Sequence, residues 1–279
     1  MSRLKTRAGW QSFFRRAGWL ESIGIAGVLV VTLVALVAPW IAPFDPDVRV
    51  AGAYLPPSAA HWFGTDEIGR DFFSRIILGV QYTFLPGIGI VLVSLVVGAG
   101  LGLIAGAVGG TLDHIIERTV DLFIVLPAML IALATVASLG PGLFNTMIAI
   151  VIFWWPVYAR ICRDEIRRLN ALPHVEAARV SGVRGPRLLL RYLLPGAVPA
   201  LLVTATHDIT GVIMTLSAMS FLGLGQPAPA PELGAMTARA MESLTVYWWL
   251  PILPAAVIFL ICLLANLAGD GIRMALRGA

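Results

Sequence analysis

QYTFLPGIGIVLVSLVVGAGLGLIAGAVGGTL, residues 81–112, decides the fold, because it contains no charged side chain over its whole length. A transmembrane α-helix needs about 20 predominantly apolar residues to cross the hydrocarbon core, and this stretch is longer than that. Of the 279 residues, 58% are hydrophobic and 13% are charged, whereas an average soluble domain has about 25% charged residues. The sequence therefore predicts a membrane protein.

Further uncharged stretches predict five more membrane spans. The first covers residues 22–42, and Pro39, with two later prolines, is expected to close it. The turn sequence SLGPG at residues 138–142 divides the uncharged stretch 122–158 into the third and fourth spans. We therefore predict an all-α membrane protein with six transmembrane helices. The stretches that supply the fifth and sixth spans are residues 193–206, 209–231 and 245–269.

The distribution of basic residues predicts how these spans are oriented. Of the 20 Lys and Arg residues, all but four fall on one side of the predicted spans. Because Lys and Arg concentrate on the cytoplasmic side of membrane proteins, we expect both termini and the loop 160–192 in the cytoplasm, and the loop 43–81 outside. The four exceptions are Arg49, Arg70, Arg75 and Arg239.

The same pattern gives the predicted domains and their location. Residues 1–21 form a cytoplasmic tail, and residues 22–279 form one multi-pass domain in the lipid of the inner (cytoplasmic) membrane. Topology explains the net charge of +4, so no nucleic-acid partner is expected. Lys5 is the only lysine, and a phosphate-binding P-loop requires one, so any ATP chemistry must come from a partner chain.

The loop between the fourth and fifth predicted spans has the pattern of two short helices joined by a sharp turn. Pro173 suits the first turn of a helix, and Gly182 suits a left-handed turn that ends one. Pro186 predicts the start of the second helix. Alanines allow close approach and arginines surround them, which favours docking onto a cytoplasmic protein. The alternative is a basic, solvated loop that only satisfies the positive-inside rule.

A resemblance distinguishes these alternatives. The segment from Glu176 to Pro195 resembles, in residue type and spacing, the E-A-A-x3-G-x9-I-x-L-P loop of permease subunits of ATP-binding-cassette importers. Its one departure is Tyr192, where the family usually has isoleucine. The resemblance implies a cytoplasmic coupling helix, between membrane helices 4 and 5, that seats in an ATPase subunit. The residues that it assigns to coupling are Glu176, Ala177, Ala178, Gly182, Leu194 and Pro195.

Further motifs are similar to one permease subunit of the dipeptide, oligopeptide and nickel importers. They are HWFGTDEIGRDFFSR at residues 61–75, SFLGLG at 220–225 and NLAGDGIR at 266–273. Leu233 departs from that family, which normally has tryptophan there. The resemblance implies a second, non-identical permease, two ATPase subunits and an extracytoplasmic solute-binding protein as partners. ATP and Mg²⁺ then belong to the ATPase subunits, and no catalytic, metal or cofactor residue is expected in this chain.

Two ionisable residues interrupt the fifth predicted span. His207 and Asp208 lie about eight residues beyond Pro199, which predicts a position near mid-membrane. Ionisable groups inside a bilayer are costly, so they are expected to face protein or water. With Met214 nearby, they are candidates for the pathway of a peptide, or of nickel or a metal chelate. The alternative is an interhelical hydrogen bond that orders the bundle.

A glycine pattern in the second predicted span leaves two interpretations open. Gly98, Gly102 and Gly106 recur at every fourth position, so they share one face of a helix. Small residues at this spacing allow two helices to approach closely. The close contact is either an interface between two permeases or packing within this bundle.

Three carboxylates recur at the same spacing after the second span. Asp113, Glu117 and Asp121 would share one face of a helix at the cytoplasmic side, and Arg118 lies beside them. Carboxylates in such a group can bind a metal or act in catalysis. Because exposed charges at helix spacing are common, we interpret the group as a solvated or ATPase-facing edge.

Two other classes of function fit the sequence less well. An intramembrane hydrolase needs a nucleophile beside a base, and the only histidine in the middle of a predicted span is His207. A passive channel would show rings of charge or a filter sequence, and neither is visible. Neither class explains the loop that contains Glu176, so we predict the permease subunit of an importer.

Overall fold

The computed structural model describes residues 18–277, and this part of the chain is helical, with no β-strand. It includes a π-helical turn at Leu189–Leu193 and a short 3-10 turn at Met241–Ser243. The helices are α1 Trp19–Ile41, α2 Phe72–Val108, α3 Gly110–Val125, α4 Ala128–Leu139, α5 Leu143–Asn170, α6 Pro173–Val180, α7 Pro186–Leu188, α8 Leu194–Phe221, α9 Leu233–Ala240 and α10 Trp249–Arg277.

Five helical segments are long and apolar enough to cross a membrane. They are α1, α2, α5, α10 and the continuous segment 186–221, which contains α7 and α8. Helices α3 and α4 diverge by 91° at Leu126 and Pro127, and this pair gives a sixth span if its two parts are counted as one. The predicted class, an all-α membrane protein with six spans, is confirmed. The predicted turn at residues 138–142 is also present, since Gly140 and Gly142 adopt positive φ between α4 and α5.

Several predicted boundaries differ from the helices of the structure. Residues 72–81 of the predicted loop 43–81 belong to α2, because the Asp71 carboxylate accepts a hydrogen bond from the Ser74 backbone N–H at 2.8 Å and caps the helix there. Residues 160–170 of the predicted loop 160–192 belong to α5. Pro39 lies inside α1 and does not end it. Residues 1–17, most of the predicted tail 1–21, lie outside the described part of the chain.

The centre of the bundle is the pair formed by α2 and α5. A Cβ atom on Gly98, Gly102 or Gly106 would lie closer to the backbone of α5 than any real Cβ atom does to its neighbours. The two backbones therefore approach at these glycines, and this close contact lies within the bundle. Around this pair, α8 packs on both α2 and α5, α4 packs on α5, and α1 and α10 pack on each other.

The segment between α1 and α2 is fixed although it has no regular secondary structure. The buried guanidinium of Arg75 donates hydrogen bonds to the carbonyl oxygens of Pro46 and Pro229, both at 2.7 Å. The rings of Tyr54 and Tyr247 stack with their centroids 4.4 Å apart. These contacts join the segment to α2 and to the chain before α10, so it forms a cap over one end of the bundle.

Candidate functional site

The loop between α5 and α8 contains a short helix whose end is fixed by its backbone. Pro173 occupies the first turn of α6, as the sequence predicts. After α6, Gly182 adopts a φ of +87°, and its N–H donates to the Arg179 carbonyl at 3.0 Å. The Val183 N–H donates to the Ala178 carbonyl, also at 3.0 Å. This pair of hydrogen bonds is a Schellman motif, so Gly182 turns the chain sharply toward α7.

The two faces of α6 differ in what they contact. Val175 and Ala178 are buried in the main core cluster, so this face attaches the helix to its own chain. Glu176, Ala177 and Val180 are exposed, and Val180 is 86% exposed although it is apolar. The exposed face is therefore available to a partner, whereas Ala178, one of the predicted coupling residues, faces inward.

The second half of the loop leads directly into a membrane span. Pro186 begins α7, as predicted, and Leu194 and Pro195 lie at the start of α8. Leu193 is buried, and Tyr192, at the position that departs from the family pattern, is half-buried and packs against the main core. Leu194 and Pro195 thus connect the loop to the bundle and do not belong to the exposed face of α6.

The three carboxylates of α3 form ion pairs with α5. The Asp113 carboxylate, buried at 1% exposure, accepts hydrogen bonds from Arg163 Nε at 2.5 Å and Nη2 at 3.2 Å, and from Arg167. Arg163 Nη2 also donates to Glu117 at 2.7 Å. Beside it, a further ion pair joins Asp121 on α3 to Arg160 on α5. The prediction of a solvated edge is wrong for Asp113, which is buried, whereas Glu117 and Asp121 remain partly exposed beside arginines of α5.

His207 lies in a cavity that polar and apolar side chains line together. The cavity has a volume of about 560 Å³, and Asp208 and Arg273 line it with His207. His207 Nε2 lies 3.8 Å from Asp270 Oδ1, and Gly269 packs beside the imidazole ring.

The structure separates Met214, another candidate pathway residue, from His207. Met214 is exposed on α8 and lines a second, apolar cavity of about 500 Å³ with Phe221 and Phe259. One carboxylate oxygen of Asp208 is buried without a hydrogen-bond partner in the described part of the chain. No group of three or more His, Cys, Asp or Glu side chains within residues 18–277 could hold a metal ion.

Glu232 is a buried polar residue that the sequence analysis did not select. It is fully buried, and its carboxylate accepts hydrogen bonds from the backbone N–H groups of Gly234 at 3.1 Å and Ala235 at 2.8 Å, at the start of α9. Thr83 Oγ1 donates to it at 3.1 Å, which connects α9 to α2. Burial raises the pKa of Glu232. In the sequence, Glu232 directly follows the uncharged stretch 209–231, and the next charge is Arg239.

These features define a class of protein. A bundle of six membrane spans with a docking helix on the loop after the fourth span is the architecture of an importer permease. A family model, the binding-protein-dependent transport system inner membrane component, matches residues 98–277. The chain belongs to this family, and its function is that of the permease subunit of an ATP-binding-cassette importer.

Similar proteins extend the match over nearly the whole chain. The di/tripeptide transport system permease protein DppC of Pseudomonas aeruginosa is 40% identical, over 96% of this chain and 90% of its own length. The probable D,D-dipeptide transport system permease protein DdpC of Escherichia coli is 38% identical, over 88% and 83%. The glutathione transport system permease protein GsiD of Pectobacterium atrosepticum is 38% identical, over 97% and 91%.

A solved structure supports the fold. An inward-facing structure of the MetNI methionine ABC transporter matches 72% of this chain and 96% of its own chain, with a TM-score of 0.59 and 19% sequence identity. Together with the family match, this structure confirms the predictions of fold and class that the resemblance gave.

Proposed function

We propose that this chain is the non-catalytic permease subunit of an importer of short peptides or peptide-like solutes. It forms the pathway with a second, non-identical permease, and two ATPase subunits supply ATP hydrolysis. An extracytoplasmic solute-binding protein delivers the solute. The observation that carries this proposal is the exposed face of α6, which is held rigidly by Val175 on one side and by the Schellman motif at Gly182.

The coupling step follows from this geometry. Glu176, Ala177 and Val180 seat in a cleft of an ATPase subunit, and the small side chain at residue 177 lets the two surfaces approach closely. Exposed arginines around the helix favour an acidic rim on that cleft. Because Leu194 and Pro195 begin α8 directly after the loop, movement of α6 reaches a membrane span. The arginines are Arg179, Arg184, Arg187 and Arg191.

The solute class is proposed from the relatives. Three relatives have names that include dipeptide, di/tripeptide or glutathione transport. None of these three names includes nickel, the alternative solute class. We therefore propose peptides.

His207, Asp208 and Met214 are proposed to line the solute pathway, since all three lie at cavities on α8. Replacing His207 with Ala should slow uptake of a labelled dipeptide by the intact complex without changing its subunit composition. If His207 only stabilises the bundle through its contact with Asp270, the His207→Ala complex should show normal uptake and a lower melting temperature. That result would remove His207 from the pathway.

Co-purification and uptake test the proposed function. The tagged chain, isolated from its native membrane, should contain a second permease and two ATPase subunits, and the reconstituted complex should take up labelled dipeptide only with ATP and the binding protein. Glu176→Lys should abolish uptake. The matched control is Glu242→Lys, an exposed residue near the opposite end of the bundle, which should transport normally. A chain that purifies without ATPase subunits would contradict the proposal.

A further inference from the structure

One cavity of the structure is lined by charges of opposite sign. It is the cavity of about 560 Å³ beside His207, and Asp208 on α8 and Arg273 on α10 both line it. Two of its lining residues, Pro199 and Arg273, are exposed, so the cavity is open at the surface of the chain. Pockets that bind small molecules have volumes of about 300–1,000 Å³, so this space suits a small ligand.

Neither of these two charges has a charged partner within residues 18–277. Asp208 and Arg273 belong to none of the ion pairs of that part of the chain, and the pair beside them joins His207 Nε2 to Asp270 Oδ1 at 3.8 Å. One carboxylate oxygen of Asp208 is buried without a hydrogen-bond partner, and so is His207 Nε2. Buried polar groups in proteins nearly always have a partner. The cavity therefore has an acceptor and a cationic donor that a ligand can use.

The neighbouring hydroxyl groups do not supply the missing donor. The Tyr158 hydroxyl on α5 lies beside Asp208, but it is itself buried and no hydrogen bond joins the two. The Thr204 hydroxyl lines the cavity and donates to the Ala200 carbonyl of its own helix at 3.1 Å. Asp208 thus has an oxygen available to a donor that enters the cavity.

The two charges define the chemistry of the ligand. A phosphate or the headgroup of an anionic lipid would pair with Arg273, but Asp208 and Asp270 would repel it. A simple cation would pair with Asp208, but Arg273 would repel it. A zwitterion satisfies both charges. A short peptide with free ends is a zwitterion, and its carboxylate matches the planar fork of N–H donors of an arginine.

We propose that this cavity binds a short peptide by its two charged ends, with the α-ammonium group on Asp208 and the α-carboxylate on Arg273. The inference rests on the proposed function and adds to it the groups of the solute that are recognised. The uncharged part of the lining includes Pro199, Ala200 and Val203, which are small. The site therefore recognises the ends of a peptide and tolerates many side chains between them.

Photolabelling of the intact complex tests this site. The probe is radiolabelled alanyl-p-benzoylphenylalanine with free ends, used below saturation and without the solute-binding protein, so that only binding to the transporter is measured. Irradiation should attach it to this chain at α8 or α10. Arg273→Gln should lower the labelling about tenfold, which is the effect expected from one lost hydrogen bond between charged groups.

Probes with one blocked end separate recognition from folding. The C-terminal amide of the probe has no carboxylate, so it should label the wild type about tenfold less, and Arg273→Gln should not lower its labelling further. The N-acetyl probe and Asp208→Asn give the same comparison at the other end, in case Arg273→Gln prevents assembly. The matched control is Arg118→Gln, at an exposed arginine of α3 outside the cavity, which should be labelled like the wild type.

The outcomes separate this inference from the proposed function. The inference is overturned if the Arg273 and Asp208 variants bind the free-ended probe like the wild type, or lose the free-ended and blocked probes by the same factor. If neither variant assembles, equal labelling of the wild type by free-ended and blocked probes overturns it. A wild-type complex that takes up dipeptide but is not labelled at α8 or α10 also overturns it, while the proposed function stands. A complex that takes up no dipeptide contradicts the proposed function itself.

Discussion

At the scale of single residues, Gly182 sets the direction of the chain after α6 through its backbone alone. Its φ is +87°, and no atom lies within 4 Å of the position that a Cβ would take, so space does not exclude a side chain. A leucine in the left-handed region costs about 1–2 kcal/mol, which corresponds to a factor of about ten in an equilibrium. We expect Gly182→Leu to reduce ATP-dependent dipeptide uptake by roughly that factor.

The control for this substitution is Gly182→Asn, because asparagine tolerates the left-handed conformation. It should keep most of the uptake, and both variants should remain in the membrane with their ATPase partners. Uptake per purified complex and ATPase activity are the measurements. Equal uptake by the Leu and Asn variants would show that this conformation does not matter for coupling.

Glu232 should make stability depend on pH. Burial raises the pKa of its carboxyl above the usual value of 4.5, so the folded protein holds this proton more tightly than the unfolded chain does. The resulting stability is present below pH 4.5 and is lost as the pH rises through the folded pKa. Glutamine cannot ionise. As the pH rises through that pKa, we therefore expect the melting temperature of the Glu232→Gln protein to fall less than the melting temperature of the wild type.

An exposed glutamate provides the comparison for this pH effect. Glu242→Gln removes a carboxylate that is open to solvent, so its melting curve should keep the pH dependence of the wild type. Melting of the purified complex at a series of pH values is the measurement. If the Glu232 and Glu242 variants showed the same pH dependence, the burial of Glu232 would have no effect on its titration.

At the scale of helices, the contact between α2 and α5 depends on glycine. A methyl group on Gly102 would clash with the backbone carbonyl of Ala159, whereas nothing lies within 4 Å of a Cβ on Gly100, two residues earlier on the same helix. We expect Gly102→Ala to lower the melting temperature of the complex, because the helices must separate. Gly100→Ala should be neutral or stabilising by up to about 1 kcal/mol, since alanine favours helix. Equal melting temperatures would contradict this packing.

The sequence predicts the existence of these helices better than their ends and partners. Uncharged stretches identify the five long apolar helices, because each must face lipid or protein over about 20 residues. They identify only the α4 part of the bent pair, because α3 is charged. The ends depend on single interactions that hydropathy does not record, such as the Asp71 cap of α2. The bend at Pro127 was missed because proline lies in an uncharged run there and does not change its hydropathy. The ion pairs of Asp113 depend on the register between two helices, which only the structure provides.

At the scale of the whole molecule, the loop motif predicted the class while composition predicted only a membrane protein. The sequence predicted a left-handed turn at Gly182, and its positive φ confirms that turn. The sequence could not separate His207 from Met214, because they share one face of α8 and only the packing of α10 shows that they line different cavities. The coupling and pathway roles of these residues stay predictions.

The orientation of the molecule is the last prediction, and it follows from the basic residues on the α6 side. Ser58, in the cap before α2, and Ser181, at the end of α6, are both exposed, so they should be equally reactive if both faced the same solution. We expect a membrane-impermeant maleimide applied from outside to modify Ser58→Cys and to leave Ser181→Cys unmodified until the membrane is opened. The natural cysteines, Cys162 and Cys262, are buried, and a Cys162→Ala, Cys262→Ala background removes their signal. If only Ser181→Cys were labelled from outside, the predicted orientation would be wrong, and α6 would lie outside, where no ATPase subunit could contact it.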